Sequence, residues 1–281
     1  MNRVSDDAQA QTDGPLAEQQ LEQFKRLGYI KVHAFTPEDA AEMVDIVWRR
    51  LEKYGIHRED PSRWKAVYPG GLSQTVRRIR IFREAITDEF VATVDQLLGR
   101  DVWKHSRDWG MLLFTFPSVE RKTWDVTPKQ WHWHGDPLRN SAQLRDLFMF
   151  SFLSQVHAGG GGTLIVEGSH HVVCRFFREL MPEQLEMKAR DLKKIFYAHH
   201  PWLKALSGKG GDDDRRQKFM SESTDVFGYP LRVVELTGDP GAAYITNMST
   251  IHAASMNVLD RPRFMRALAI HQVDEAVPES T

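Results

Sequence analysis

The residues of this chain best suited to chemistry crowd into one hexapeptide, Trp131-His132-Trp133-His134-Gly135-Asp136. Alternate side chains of an extended strand share a face, so His132, His134 and Asp136 are expected on one side. An imidazole and a carboxylate two residues apart can then reach one metal ion from a single edge of a β-structure. A third ligand must come from elsewhere. His252 is well placed, just beyond an apolar stretch from Ala242 to Thr246 and an Asn-Met-Ser-Thr turn. Two imidazoles and one carboxylate leave three coordination positions open, the facial set suited to non-haem iron(II); zinc is usually held more closed. His-x-Asp alone carries little weight, because a hydrogen-bonded polar pair on a strand gives the same pattern.

Arg263 adds to it. It follows His252 by eleven positions, next to an apolar strand from Phe264 to Gln272. A guanidinium fork matches a carboxylate, so Arg263 can hold the far end of a dicarboxylate; a surface ion pair is its plainer role. Arg266 stands in reserve. Strand parity puts Arg263 on the face of His271, and Arg266 on that of Phe264, Leu268 and Ile270.

The elements that must position these residues follow from periodicity. Leu16, Leu21, Phe24 and Leu27 have helical spacing and Gly28 stops them, with a short strand from Tyr29 to Val32 after it. Thr36-Pro37-Glu38-Asp39 is a helix start with its own cap, N1 proline and acidic first turn. A further helix is expected from Asp88 to Leu98, between Thr87 and Gly99. The period then changes. Met111 to Phe116, Trp131 to Asp136, Leu147 to Val156, Thr163 to Val166, Leu231 to Leu236, Ala242 to Thr246 and Phe264 to Gln272 read as strands. Helices followed by many short strands predict an α+β chain whose sheet part is a sandwich or barrel. The stretch 176–230 reads as an insertion with a helix from Pro182 to Phe196 and an exposed loop from Lys209 to Lys218. It is expected to be either a lid over the barrel mouth or a packing decoration.

Composition narrows the class. With 281 residues, 41% of them hydrophobic, there is material for one large domain. The expectation is a polar tail over 1–15, one domain over 16–275 and a second tail over 276–281. Lys and Arg number 37 against 38 Asp and Glu, so no long-range field points to nucleic acid or an anionic membrane, and a small-molecule partner is expected. The lone Cys174 excludes an internal disulfide framework and fits a reducing, cytoplasmic setting. No secretion signal is visible, and no run of about 18 apolar residues suggests a membrane span.

Several motifs invite plainer readings. Trp131, Trp133, Phe148, Phe150 and Phe152 suggest core or barrel lining. His199-His200-Pro201-Trp202 suggests a helix entry, and Asp212-Asp213-Asp214 a solvated loop beside Arg215 and Arg216. No phosphate loop, G-x-S-x-G elbow or paired-cysteine redox motif occurs.

The order of features resembles the phytanoyl-CoA dioxygenase family of iron(II)/2-oxoglutarate oxygenases. The features are a helix, a Gly28-Tyr29 strand, a capped helix, Trp133-His134-Gly135-Asp136, Gly160-Gly161-Gly162-Thr163, Gly168-Ser169-His170, His252 and Pro262-Arg263, from roughly Leu16 to Gln272. The resemblance implies a double-stranded β-helix, or jelly roll, with N-terminal helices outside and a helical insertion between strands. It implies His134, Asp136 and His252 as Fe(II) ligands and Arg263 on the 2-oxoglutarate C5 carboxylate. Dioxygen would be the third reactant, with succinate and carbon dioxide released and hydroxylation of an unactivated C–H bond the default outcome. Asp136 argues against halogenation, since halogenases of this class lack the carboxylate. The doubled motif leaves a second register open, in which Trp131-His132 is the family's Trp-His pair and His134 stands at the aspartate position. Glu167 replaces the proline usual before Gly-Ser-His, and His170 and His171 are expected to stabilise a turn. A non-catalytic metal-binding jelly roll is the alternative from another class.

Overall fold

The computed structural model describes residues 14–64, 69–106, 108–120, 123–208 and 214–273. The expected tails therefore lie outside the described residues, apart from residues 14 and 15, as do Asp212, Asp213 and the first half, 209–213, of the loop expected from Lys209 to Lys218. The first helix, α1 (Glu18–Leu27), ends where Gly28 takes a left-handed φ of 81° and returns its N–H to Phe24. Strand β1 (Tyr29–His33) follows, then α2 (Pro37–Leu51), capped by the Thr36 hydroxyl, which accepts the Asp39 N–H. Helix α3 (Asp88–Leu98) is capped by Thr87.

Two antiparallel sheets make the rest of the framework. One has the order β1-β7-β3-β9-β2, with β2 (Met111–Thr115), β3 (Asp146–Phe152), β7 (Ala242–Asn247) and β9 (Arg263–His271). The other runs β5-β6-β4-β8, with β4 (Leu164–Glu167), β5 (Thr224–Val226), β6 (Tyr229–Glu235) and β8 (His252–Ala253). Their inner faces share one apolar cluster, Phe150, Phe152, Tyr244, Met265 and Ala267 from the first sheet with Ile165 from the second. The outer face of the first sheet is covered by the helices, through Met43, Val47, Phe82, Phe90 and Phe264. This mixed α/β arrangement is consistent with a jelly roll.

One expected strand is absent. From Trp131 to Asp136 only a single bridge forms, His132 with His252, and the chain then enters helix α4 (Pro137–Ala142). The expected insertion is more helical than its sequence suggested. Helix α5 (Ser169–Glu179) starts before it, and α6 (Pro182–Leu185), α7 (Ala189–Ala198) and α8 (Pro201–Ser207) fill it. These helices bury Phe176, Phe196, Tyr197 and Trp202 in a cluster with Trp124, Trp131 and Trp133, the aromatic residues flanking the histidines. Arg215 locks the contact. Its buried guanidinium donates to the carbonyls of Val126, Thr127, Ala205 and Leu206 at 2.6–3.3 Å. Removing it strands several buried carbonyls, so Arg215→Ala should cost about 3 kcal/mol in urea unfolding. A loss below about 0.5 kcal/mol would show that the insertion is not held by this clamp.

Candidate metal centre

Three imidazoles converge. The ligand atoms of His132, His134 and His252 lie within 4.8 Å of one another, and the ring centroids are 4.2 Å apart for His132 and His252, 5.0 Å for His132 and His134 and 4.9 Å for His134 and His252. The pairing is set by the backbone. His132 N–H donates to the His252 carbonyl at 3.0 Å and His252 N–H to the His132 carbonyl at 2.8 Å, so the two residues are direct cross-strand partners with side chains on one face.

Each partner is oriented by a carbonyl two residues upstream. His132 Nδ1 lies 2.7 Å from the Gln130 carbonyl and His252 Nδ1 lies 3.0 Å from that of Thr250. A carbonyl only accepts, so both Nδ1 atoms carry the proton and both Nε2 lone pairs are free for a cation. Gln130 adopts φ 66°, a left-handed conformation costing a non-glycine residue about 1–2 kcal/mol, and that conformation presents its carbonyl to His132. Ser169 supports the His252 side. Its hydroxyl accepts the Ile251 N–H and donates to Val166, which ties the Gly168-Ser169 turn to the strand carrying the histidine. His134 stacks on Phe148 at 4.4 Å, and Phe150 meets the His252 ring edge-on at 5.3 Å, so two aromatics expected as lining touch the centre.

Asp136 is not part of this convergence. Gly135 takes φ 65°, which interrupts the strand alternation after His134 and turns Asp136 outward. There its carboxylate caps α4 by accepting the Leu138 N–H at 2.9 Å. The structure brings His132, His134 and His252 together, the register held open by the doubled motif, and places Asp136 at the head of α4.

The two arginines go to opposite sides. Arg263 lies on the inner face with Met265 and Ala267, paired across the sheet with Thr115. Its Nε donates to the Gly161 carbonyl and its Nη2 to the Thr115 hydroxyl, while Nη1 is buried with no acceptor among the described residues. Burial pulls its pKa down to about 10, which leaves it charged at neutral pH. Arg266 faces the helical layer, between the rings of Phe35 and Phe82, and donates to the Phe82 carbonyl at 2.6 Å. That placement removes it from the inner wall and explains the arginine on an apolar strand face as a buried structural group. Thr115 was not picked out by motif, and the pairing of β2 with β9 reveals it; Gly161 belongs to the glycine run of the family pattern. The other histidine motifs are structural. His170 lies in the first turn of α5 and its Nε2 donates to the Lys25 carbonyl; His200 caps α8.

No family model matches the chain, and no curated protein matches it. Among solved structures, similar folds include the non-heme alpha ketoglutarate dependent carbocyclase SnoK from nogalamycin biosynthesis, 18% identical over 92% of this chain and 85% of that one, with a TM-score of 0.50. EctD from S. alaskensis with bound Fe is 17% identical over 92% of this chain and 78% of that one, with a TM-score of 0.48. A non-heme monooxygenase, the ThoJ-Ni complex, is 16% identical over 89% and 76%, with a TM-score of 0.45. At these identities the likeness to SnoK is one of fold.

Burial, then the neighbouring His132 charge, push the His134 pKa down to about 4; the same causes in the same order bring His252 to about 3. Both imidazoles are therefore neutral at pH 7, the form that binds cations. Because the folded pKa values lie below the ordinary value near 6.5, the unfolded chain takes up protons first as pH falls. Metal-free protein should hold its full Tm above about pH 6.5 and lose it progressively between about pH 6.5 and 3. A Tm that rises over that window in scanning calorimetry would contradict the placement of these rings.

Proposed function

We propose that this chain is a non-haem iron(II) oxygenase that uses 2-oxoglutarate and dioxygen to hydroxylate a small molecule, built on a double-stranded β-helix. The observation that carries the reading is the convergence of three imidazoles, two with Nδ1–H fixed on carbonyls, in a fold whose inner wall carries an arginine with a buried Nη1 that has no acceptor among the described residues. The residues fit the group they would hold. Imidazole suits iron among several first-row metals, and the buried, unpaired Nη1 of Arg263 asks for an acceptor. The likeness to an alpha ketoglutarate dependent enzyme points the same way.

In this reading His132, His134 and His252 bind the metal through one face. Arg263 takes the distal carboxylate of 2-oxoglutarate, with Gly161 and Thr115 keeping the guanidinium in one orientation. When bound, the iron supplies C–H oxidation coupled to decarboxylation of 2-oxoglutarate to succinate and carbon dioxide. Phe148 and Phe150 exclude water from the imidazoles. His134 fills the position a carboxylate would take in the family motif, so no ligand position is vacated for a halide and hydroxylation remains the expected outcome. Asp136 keeps α4 capped. The helices α7 and α8, held by Arg215 and by the packing around Trp133, serve as a fixed wall more readily than as a moving lid.

Anaerobic Fe(II) with 2-oxoglutarate should give a weak visible charge-transfer band. Arg263→Gln should keep Fe(II) binding while raising the 2-oxoglutarate concentration needed for the band by at least about tenfold, the loss of a charge-assisted pair. Absence of the band in folded, iron-loaded wild type would overturn the oxygenase reading and leave a metal-binding protein without this turnover.

A further inference from the structure

Arg263 is held by a loop with no stiffness of its own. The run Gly159-Gly160-Gly161-Gly162 leads into β4, and Gly159 and Gly161 both take left-handed φ, 79° and 82°. Glycine loses more backbone freedom on ordering than any other residue, so another group must fix this run before the Gly161 carbonyl can aim a side chain. That group is Glu235, the last residue of β6, which pairs with Leu164 at the start of β4. One carboxylate oxygen accepts the Gly159 N–H at 2.8 Å and the other accepts the Gly162 N–H at 3.2 Å, so the side chain spans both ends of the run. Between these anchors the Gly161 carbonyl accepts Arg263 Nε at 2.9 Å.

The clamp is close-packed. A Cβ at Gly162 would collide with the Leu236 carbonyl and come within 3.0 Å of Glu235 Cγ, so the run lies directly on the end of β6. Its other side is closed by residues 257 and 258. Val258 N–H donates to the Gly159 carbonyl at 2.8 Å, and the Asn257 amide donates to the carbonyl of Thr115, the residue whose hydroxyl takes Arg263 Nη2. Burial raises the Glu235 pKa, and the two glycine amides oppose that shift, as donors to a charged carboxylate do. Its remaining hydrogen bond among the described residues comes from the Ser255 hydroxyl at 3.4 Å. We infer that Glu235 is a positioning residue for co-substrate binding, which acts through the glycine run to aim the Arg263 guanidinium at the distal carboxylate of 2-oxoglutarate. The inference rests on Arg263 as the 2-oxoglutarate partner proposed above. A carboxylate that only stabilised the loop would leave the choice between 2-oxo acids untouched.

The test titrates anaerobic Fe(II)-loaded protein with 2-oxoglutarate and with 2-oxopentanoate, which keeps the chelating end and carries a methyl group in place of the distal carboxylate. Binding is read from the charge-transfer band, and Fe(II) affinity is measured separately by calorimetry. Glu235→Gln has one acceptor oxygen for two N–H groups. It should raise the 2-oxoglutarate concentration for half-saturation by about fivefold or more, while 2-oxopentanoate stays within about twofold and Fe(II) affinity is unchanged. In the Arg263→Gln background the same substitution should change 2-oxoglutarate binding by less than about twofold, because the two residues act along one path. Glu235→Asp, whose shorter stem cannot span both anchors, should repeat the selective loss, and it carries the test if Glu235→Gln does not fold. Undiminished 2-oxoglutarate affinity in these variants, an equal loss for both acids, or a loss of the same size without Arg263 overturns the inference. Wild type that binds Fe(II) but gives no band with 2-oxoglutarate removes the role proposed for Arg263, and this inference with it.

Discussion

Two backbone hydrogen bonds between His132 and His252 set the terms for the rest of the molecule. The residues are 120 positions apart in sequence, by subtraction of their numbers, and their reciprocal N–H to carbonyl bonds make them direct partners across a single bridge. Everything that fixes either strand end therefore fixes the distance between two candidate ligands. On one side stand the strained Gln130 and the indole of Trp131, which donates to Thr127. On the other stand the Asn247 to Thr250 turn, which reaches back to Gly28, and the Ser169 hydroxyl, which reaches back to β4. Rigid two-sided support of this kind holds ligands in place without the metal, which is what tight selection of a facial geometry requires.

Charge follows the same plan. His134 and His252 are kept neutral by burial and then by the neighbouring His132 charge, and the cations of these layers are distributed over separate elements. Arg263 belongs to the inner wall and Lys193 to the insertion, while Arg266 is sealed in the helical layer with aromatic faces on two sides. The buried Nη1 of Arg263, without an acceptor among the described residues, is in keeping with the dicarboxylate proposed for the site.

Much of this was legible in the sequence wherever local chemistry decided the outcome. Helices capped by Thr36 and Thr87 and stopped by Gly28 begin and end where cap and breaker residues predict, and strand parity separates Arg263 from Arg266 correctly because β9 stays extended through both. The histidine motif was harder. Alternation places His132 and His134 together, but Gly135 turns left-handed, and from there helix capping rather than strand parity governs Asp136. A glycine between two candidate ligands was the available signal. The insertion was under-read for a different reason. Two of its helices, α6 and α8, are short, and α5, α7 and α8 bury aromatic residues against Trp131 and Trp133, a tertiary contact that no local period announces.

The register of the metal centre is the claim on which the account stands, and ligand substitution measures it directly. Co(II) affinity should be determined anaerobically by calorimetry for His132→Ala and for Asp136→Asn, the latter keeping a side chain able to cap α4. The structure predicts that His132→Ala weakens Co(II) by about 100-fold or more while Asp136→Asn stays within about threefold of wild type, with both variants folded. The reverse order, a large loss in Asp136→Asn with His132→Ala intact, would contradict it.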